Sequence, residues 1–226
     1  MKAKTKYRYR LTFRKGNKVK YVGHLSVITV WTRAFRRAGV PLAYSQGFNP
    51  QARLQFAASL PLGYIGSAEL IDVFLKEAVD EADMLHHVND TLPTGFKLHA
   101  IEMIAPNSPS TQNELRQANY NVTVETATSS AQIEDKIKDI LLADKIMQIR
   151  TRRKKEETYN LRPLLHDLSL VHAKDQAKAK PFAPQDVTLH MQLSVGQHGN
   201  LRPESVLKAL DLDMNWYEIE RMKLIF

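Results

Sequence analysis

The chain has 226 residues, 43% of them hydrophobic and 25% charged, an ordinary globular composition with room for two domains of about 100 residues or one large one. Its formal net charge is +8 and it holds no cysteine, which excludes disulfides, zinc-thiolate sites, thiol catalysis and cysteine-ligated iron-sulfur clusters. No apolar run approaches the roughly 20 residues that span a bilayer, and the opening MKAKTKYRYRLTF lacks a signal-peptide core, so the expectation is a cytoplasmic protein without membrane association.

Tyr7 to Phe13 alternates Tyr7, Tyr9, Leu11 and Phe13 with Arg8, Arg10 and Thr12, the period of two expected of a strand with one buried face. Its solvent face would carry Arg8, Arg10 and Arg14. Lys15 to Lys20 reads as a basic turn around Gly16-Asn17. The helix that follows sets Leu25, Ile28, Trp31 and Phe35 along one stripe and ends at Gly39, with Pro41 just beyond. Arg33, Arg36 and Arg37 crowd its last turn, where cations complement the helix dipole while like charges four apart repel. Leu42 to Tyr44 is a short extended piece and Ser45 to Pro50 a turn; Arg53 to Ala58 and Ala68 to Leu75 are strands. A short helix over Asp80 to Asn89 and a strand over Lys97 to Ile104, with Leu98, Ala100 and Glu102 on one side, complete the order β-α-β-β-α-β.

Residues 106–118 are polar and proline-marked and read as a linker. The pattern then recurs: a strand at Tyr120, Val122 and Val124; a helix over Ser129 to Ala143 with Ile133, Ile137, Ile140 and Leu141 as its stripe and Ser129 or Ser130 as its cap. A strand over Lys145 to Thr151 runs into the basic Arg152 to Lys155; a strand over Val187 to Val195, a helix over Pro203 to Leu210 opened by proline, and a strand over Trp216 to Phe226 follow. Leu161 to Asp186 reads as an added strand or short helix and a loop. The expected fold is α+β: two tandem ferredoxin-like (βαββαβ) units with antiparallel sheets, at 1–105 and 119–226, the second with an inserted loop near 161–186.

The charge is unevenly placed. From Met1 to Ala68 there are thirteen Lys or Arg and no Asp or Glu, the first carboxylate being Glu69. Residues 1–105 carry 15 basic and 8 acidic side chains, net +7, against 17 and 16, net +1, in residues 106–226. So concentrated a positive field is the footprint of a phosphate-bearing partner, because neutralising phosphates releases condensed counterions; a merely solvated basic surface is the competing explanation.

Ser45 to Arg53 is the most informative stretch. Gly47 permits positive φ and Pro50 fixes the chain, while Gln46, Asn49 and Arg53 are groups that read base edges or phosphates and Phe48 is a ring on which a base stacks. The alternative is a β-turn in which Asn49 bonds its own backbone and Phe48 plugs the core. His24, at the head of the first helix, is a general-base candidate with Ser26 or Tyr44 as partner, or a structural cap. Asp72 is a lone catalytic carboxylate or a salt-bridge partner of the basic face; Glu69, three residues away on a strand, faces the other side. His86-His87 lacks a partner at helical spacing, so no metal site is expected, and Arg152 to Lys155 offers a second phosphate patch. No Walker loop or dinucleotide fingerprint occurs, and no cofactor is expected.

His24-Leu25, the run Arg37-Ala38-Gly39-Val40-Pro41-Leu42-Ala43-Tyr44-Ser45-Gln46-Gly47-Phe48-Asn49-Pro50, then Leu60-Pro61-Leu62-Gly63 and Glu69-Leu70-Ile71-Asp72, resemble the signature of the bacterial radical-SAM-associated (radical-SAM-linked) protein family, a domain of unknown function. The likeness is strong in the N-terminal half, with departures at Ser26 and Gln51-Ala52. It implies a partner radical SAM protein with a cobalamin-binding-type domain. A weaker likeness, of fold alone, is to the repeat-processing endoribonucleases of CRISPR systems. The expectation is an accessory protein that binds RNA (tRNA or rRNA) for the partner, with Arg8, Arg10, Arg33, Arg36, Arg37 and Arg53 on phosphates and Gln46, Phe48 and Asn49 on bases. The alternative is a metal-independent endoribonuclease with His24 as base.

Overall fold

The structure, a computed structural model, describes residues 7–152, 155–171, 185–197 and 199–226. It is a mixed α+β fold in which the chain divides between Leu115 and Arg116 into two units. The first contains β1 (Tyr7–Lys15), α1 (His24–Arg37), β2 (Leu54–Phe56), β3 (Ile65–Leu75), α2 (Glu81–Thr91), β4 (Phe96–Ile104) and the short α3 (Thr111–Glu114). The second contains β5 (Gln117–Thr126), α4 (Ser130–Leu142), β6 (Met147–Arg152), β7 (Lys155–Asn160), β8 (Leu165–Val171), β9 (Gln185–Ser194), α5 (Pro203–Leu210) and β10 (Met214–Ile225). No helix among the described residues is long and apolar enough to cross a membrane.

In the first unit the strands run in the order β4-β1-β3, with β2 on β3, all antiparallel. Tyr9, Leu11, Phe13, Ile71, Val73 and Leu75 form the core face of the sheet and take Val27, Trp31 and Phe35 of α1 and Met84 and Val88 of α2. Trp31 is its centre, edge-on to Phe13 at 4.8 Å and tilted on Phe35 at 5.4 Å. α1 ends in a Schellman motif: Val40 N–H donates to Phe35 O and Gly39 N–H to Arg36 O, with Gly39 at φ +71, a conformation that suits glycine. α2 is capped by Asp80, whose carboxylate accepts from Asp83 N–H at 3.0 Å.

Three features of this unit depart from the sequence expectation. Leu25, placed on the core stripe, is 79% exposed, because the buried face of α1 starts at Val27. On β4, Thr12 pairs with Ala100 but Phe13 with Leu98, so His99 is an extra residue. That bulge reverses the alternation, and Ile101 rather than Ala100 packs on the core. Finally, residues 105–115 belong to the first unit instead of forming a linker: Arg8 Nη1 donates to Ser108 O, and Gln112 Nε2 to Phe56 O at 2.8 Å.

The second unit has the antiparallel order β10-β5-β9-β8, and α4 and α5 bury Ile133, Ile137, Ile140, Val206, Leu207 and Leu210. Ser129 and Gln132 form a capping box at the head of α4. The strand expected over Lys145 to Thr151 exists as β6 but among the described residues pairs only with β7, in a separate hairpin. Met147 and Ile149 are more than half exposed, so β6 has no apolar face to bury in the sheet. The vacant sheet edge is taken by β8, which buries Leu165 and Leu168. The hairpin rests on α5 through Gln148 Nε2 to Ser205 O (2.9 Å) and Tyr159 OH to Ser205 Oγ (3.1 Å). Residues 172–184, half of the segment expected as a loop near 161–186, and Arg153-Lys154 of the basic run lie outside the described residues.

Candidate nucleic-acid interface

Arg33, Arg36 and Arg37 are exposed on the last turns of α1 and line one surface depression. Their position follows from the helix itself: Trp31, Ala34 and Phe35 occupy the buried side, which leaves 33, 36 and 37 on the outer one. Arg37 Nη2 donates to Thr91 O at 2.7 Å, the last residue of α2, and Thr91 Oγ1 bonds back to Ala34 O at 3.0 Å. The guanidinium of Arg37 is thereby held in place. Among the described residues no carboxylate pairs with Arg33 or Arg36.

The segment that follows α1 returns to the sheet and then leaves it as a projecting loop. Leu42 bridges to Leu75 and Tyr44 to Ala52, while Ser45 N–H donates to Gln51 O at 2.8 Å and Gln51 N–H to Ser45 Oγ at 2.9 Å. Between these ties Gln46, Gly47 (φ +126), Phe48, Asn49 and Pro50 are all exposed. Phe48 stands fully in solvent at the loop tip, so the reading in which it plugs the core is excluded. Arg53, at the base of the loop, is exposed and stacks its guanidinium over Phe74 at 4.7 Å. No hydrogen bond or ring contact among the described residues links the arginine trio to this loop; residues 38–44 alone connect them.

Arg8 and Arg10 do not form the free solvent face that the alternation implied. Arg8 is buried at 3% exposure, and its Nη2 donates to the fully buried Asp72 Oδ2 at 2.5 Å; Arg10 Nε donates to Asp72 Oδ1 at 2.9 Å. The cause is register: Asp72 lies directly opposite Arg10 across β1 and β3, where opposite charges attract. Asp72 is therefore the anchor of an ion-pair cluster, and the basic residues of the first unit are divided among separate places instead of one sheet face.

His24 opens α1 behind Gly23 and lies edge-on to Phe56, with centroids 5.2 Å apart. It shares a small pocket with Lys15, Glu69, Phe13, Val27 and Leu60, whose free space of about 10 Å3 suits roughly one water. Burial pushes the His24 imidazole below its usual value, and burial, opposed by the Glu69 carboxylate, lowers the Lys15 ammonium. No hydrogen bond among the described residues joins His24 to Ser26 or Tyr44. Sequence reasoning missed that Lys15 and Glu69 share this pocket. The signal was present, since carrying the period of two past Phe13 puts Lys15 on the buried side, where it is 2% exposed and donates to Lys20 O at 2.8 Å. Gly66 makes room for the Glu69 side chain: a Cβ there would stand 2.6 Å from Glu69 Cγ. Among the described residues no group of three or more His, Asp or Glu is placed to hold a metal ion.

No curated protein matches this chain. Among solved structures it is similar to a chain of "Crystal Structure of a Cbf5-Nop10-Gar1 Complex", at 12% identity and TM-score 0.48, with 97% of this chain and 49% of that chain covered. It is also similar to a chain of "Crystal structure of the archaeal box H/ACA sRNP Nop10-Cbf5 complex", at 8% identity and TM-score 0.46, with 97% and 48% covered. The chain thus spans about half the length of these neighbours. A family model described as "Uncharacterized protein conserved in bacteria (DUF2344)" matches residues 8–203, from β1 to the start of α5, and the chain belongs to that family.

Proposed function

We propose that the protein is a cytoplasmic, non-catalytic accessory protein that binds RNA, either tRNA or ribosomal RNA, and presents it to a partner radical SAM enzyme with a cobalamin-binding-type domain. The observation that carries the RNA half of this reading is the arginine trio: three exposed guanidinium groups on one helix end line one depression, and no carboxylate neutralises Arg33 or Arg36 among the described residues. Guanidinium forks match phosphate oxygens, and their strength is lost if a carboxylate already occupies them. The 45–51 loop adds an exposed ring, Phe48, flanked by Gln46 and Asn49, which suits splayed single-stranded bases. Arg8 and Arg10 drop out of the contact set because Asp72 holds them. We also read each unit as ferredoxin-like; the strand orders β4-β1-β3 with β2 on β3, and β10-β5-β9-β8, support this, the β6-β7 hairpin being an insertion in the second. The partner rests on the motif resemblance, and a chain without cysteine leaves the cluster to that partner.

Electrophoretic shift with total bacterial RNA tests the reading: a shift at low salt that weakens at moderate salt is expected, and no shift at either removes it. Phe48→Ala should change unfolding stability by less than about 0.5 kcal/mol, since the ring touches nothing, yet lower affinity for single-stranded RNA by about 1–3 kcal/mol. Fluorescence anisotropy with a labelled oligonucleotide reads the second value.

The neutral imidazole that burial favours at His24 supports a second reading, a metal-independent endoribonuclease. On the accessory reading, labelled RNA incubated with the protein in chelator stays intact, and His24→Ala changes nothing. Cleavage lost in His24→Ala would establish the enzyme instead.

A further inference from the structure

Three large apolar side chains near the head of α1 are left in solvent: Tyr21 at 73%, Leu25 at 79% and Leu62 at 64% exposure. Tyr21 and Leu62 come from two turns beside the His24 pocket, and Leu25 from the first turn of α1. Lys20 O accepts both Lys15 Nζ at 2.8 Å and Gly63 N–H at 3.0 Å, which zips the 20–25 turn to the 60–63 turn. The Tyr21 ring lies over Gly63, 3.7 Å from where a Cβ would be, with Leu62 next in the chain. Leu25 follows His24, whose ring shares its pocket with Leu60. Neither leucine serves the core, and exposed apolar clusters of this kind mark interaction surfaces.

The charge around the patch narrows its occupant. Lys18 is exposed, and Lys20 stands over the Tyr21 ring at 5.6 Å, so the charges seen beside the patch are cationic. Two of the three apolar side chains are aliphatic and offer no face on which a base stacks, Tyr21 being the one ring of the patch, so an apolar protein segment suits it better than a run of bases. A second copy of the chain would bring the same lysines against each other. We infer that Tyr21, Leu25 and Leu62 dock a protein segment whose apolar side chains are flanked by carboxylates, with Lys18 and Lys20 on the rim. This extends the accessory reading by giving the partner protein a surface toward the other end of a 14-residue helix, about 12–18 Å along its axis from the arginines.

Selection of phage-displayed random peptides on the full chain, followed by titration of a synthetic enriched peptide, decides it. Enriched peptides should combine Leu, Phe or Met with Asp or Glu. Leu25→Ser with Leu62→Ser, and separately Lys18→Glu, should each weaken the peptide about tenfold or more, the loss of a well-placed interface contact. All of these side chains are exposed, so thermal unfolding should be unchanged, and the RNA shift should be unchanged too. The inference is overturned by the absence of enrichment, by basic or apolar-free peptides, or by affinity that ignores the substitutions. It is also overturned by a dimer that the leucine substitutions dissolve, or by loss of RNA binding in the leucine variant. A chain that binds the peptide but shifts no RNA keeps this inference and loses the RNA reading.

Discussion

Asp72→Ala is expected to destabilise the first unit by about 3–5 kcal/mol, the cost of leaving a buried charge without its partner. Asp72 is fully buried and accepts from Arg8 and Arg10, and Arg8 is itself almost inaccessible, so its guanidinium has no route to water once the carboxylate is gone. Arg8 also ties the 105–115 segment to the sheet through Ser108 O and Pro109 O (3.1 Å), and that strap should loosen with it. Urea unfolding followed in the first unit measures the effect, through Trp31 fluorescence with Trp216→Phe removing the second tryptophan. Arg8→Met with Asp72→Leu should recover most of the loss, because an apolar pair of similar volume avoids the desolvation penalty. A cost below about 1 kcal/mol for Asp72→Ala would mean that Arg8 reaches solvent.

Replacing Arg33, Arg36 and Arg37 together by alanine is expected to leave the fold intact and to remove most RNA affinity. All three side chains are exposed and lie off the core stripe. If each neutralises one phosphate, the slope of log K against log salt falls by about 2–3 units, at roughly 0.7 per phosphate on single strands and 0.9 on duplex. A charge-matched control on the second unit, Lys136→Ala with Lys138→Ala and Lys208→Ala, should change the slope little. Each of those lysines is near a carboxylate or a helix end: Lys138 pairs with Asp135 at 3.1 Å and Lys136 bonds Asp211 O at 3.0 Å.

Local patterns were legible where one rule acted alone. The alternation of Tyr7 to Phe13, the helix stop at Gly39, the serine cap of α4 and the proline start of α5 each name their own geometry. Which strand entered the second sheet was not legible, because β6 and β8 are both short runs of mixed polarity and tertiary burial of Leu165 and Leu168 decided between them. Within the candidate site, the arginines of α1 were visible from helical spacing, and the exposure of Phe48 was left open between two readings that only the fold separates. Arg8 and Arg10 misled because alternation says which face a residue occupies but not what lies across the ladder; Asp72 is 62 residues away from Arg10. The Lys15, Glu69 and His24 pocket was hidden for the same reason, joined by strand register rather than by any sequence motif.

The central claim is that the first unit grips RNA phosphates with the exposed arginines of α1. Its most direct measurement is the affinity of the unmodified protein for bacterial tRNA across a salt series from about 50 to 200 mM, read by filter binding. The account predicts a straight log-log decline with a slope of about −2 or steeper, most of it gone in the arginine-to-alanine variant. A flat line, no binding at the lowest salt, or a slope untouched by that variant would contradict it.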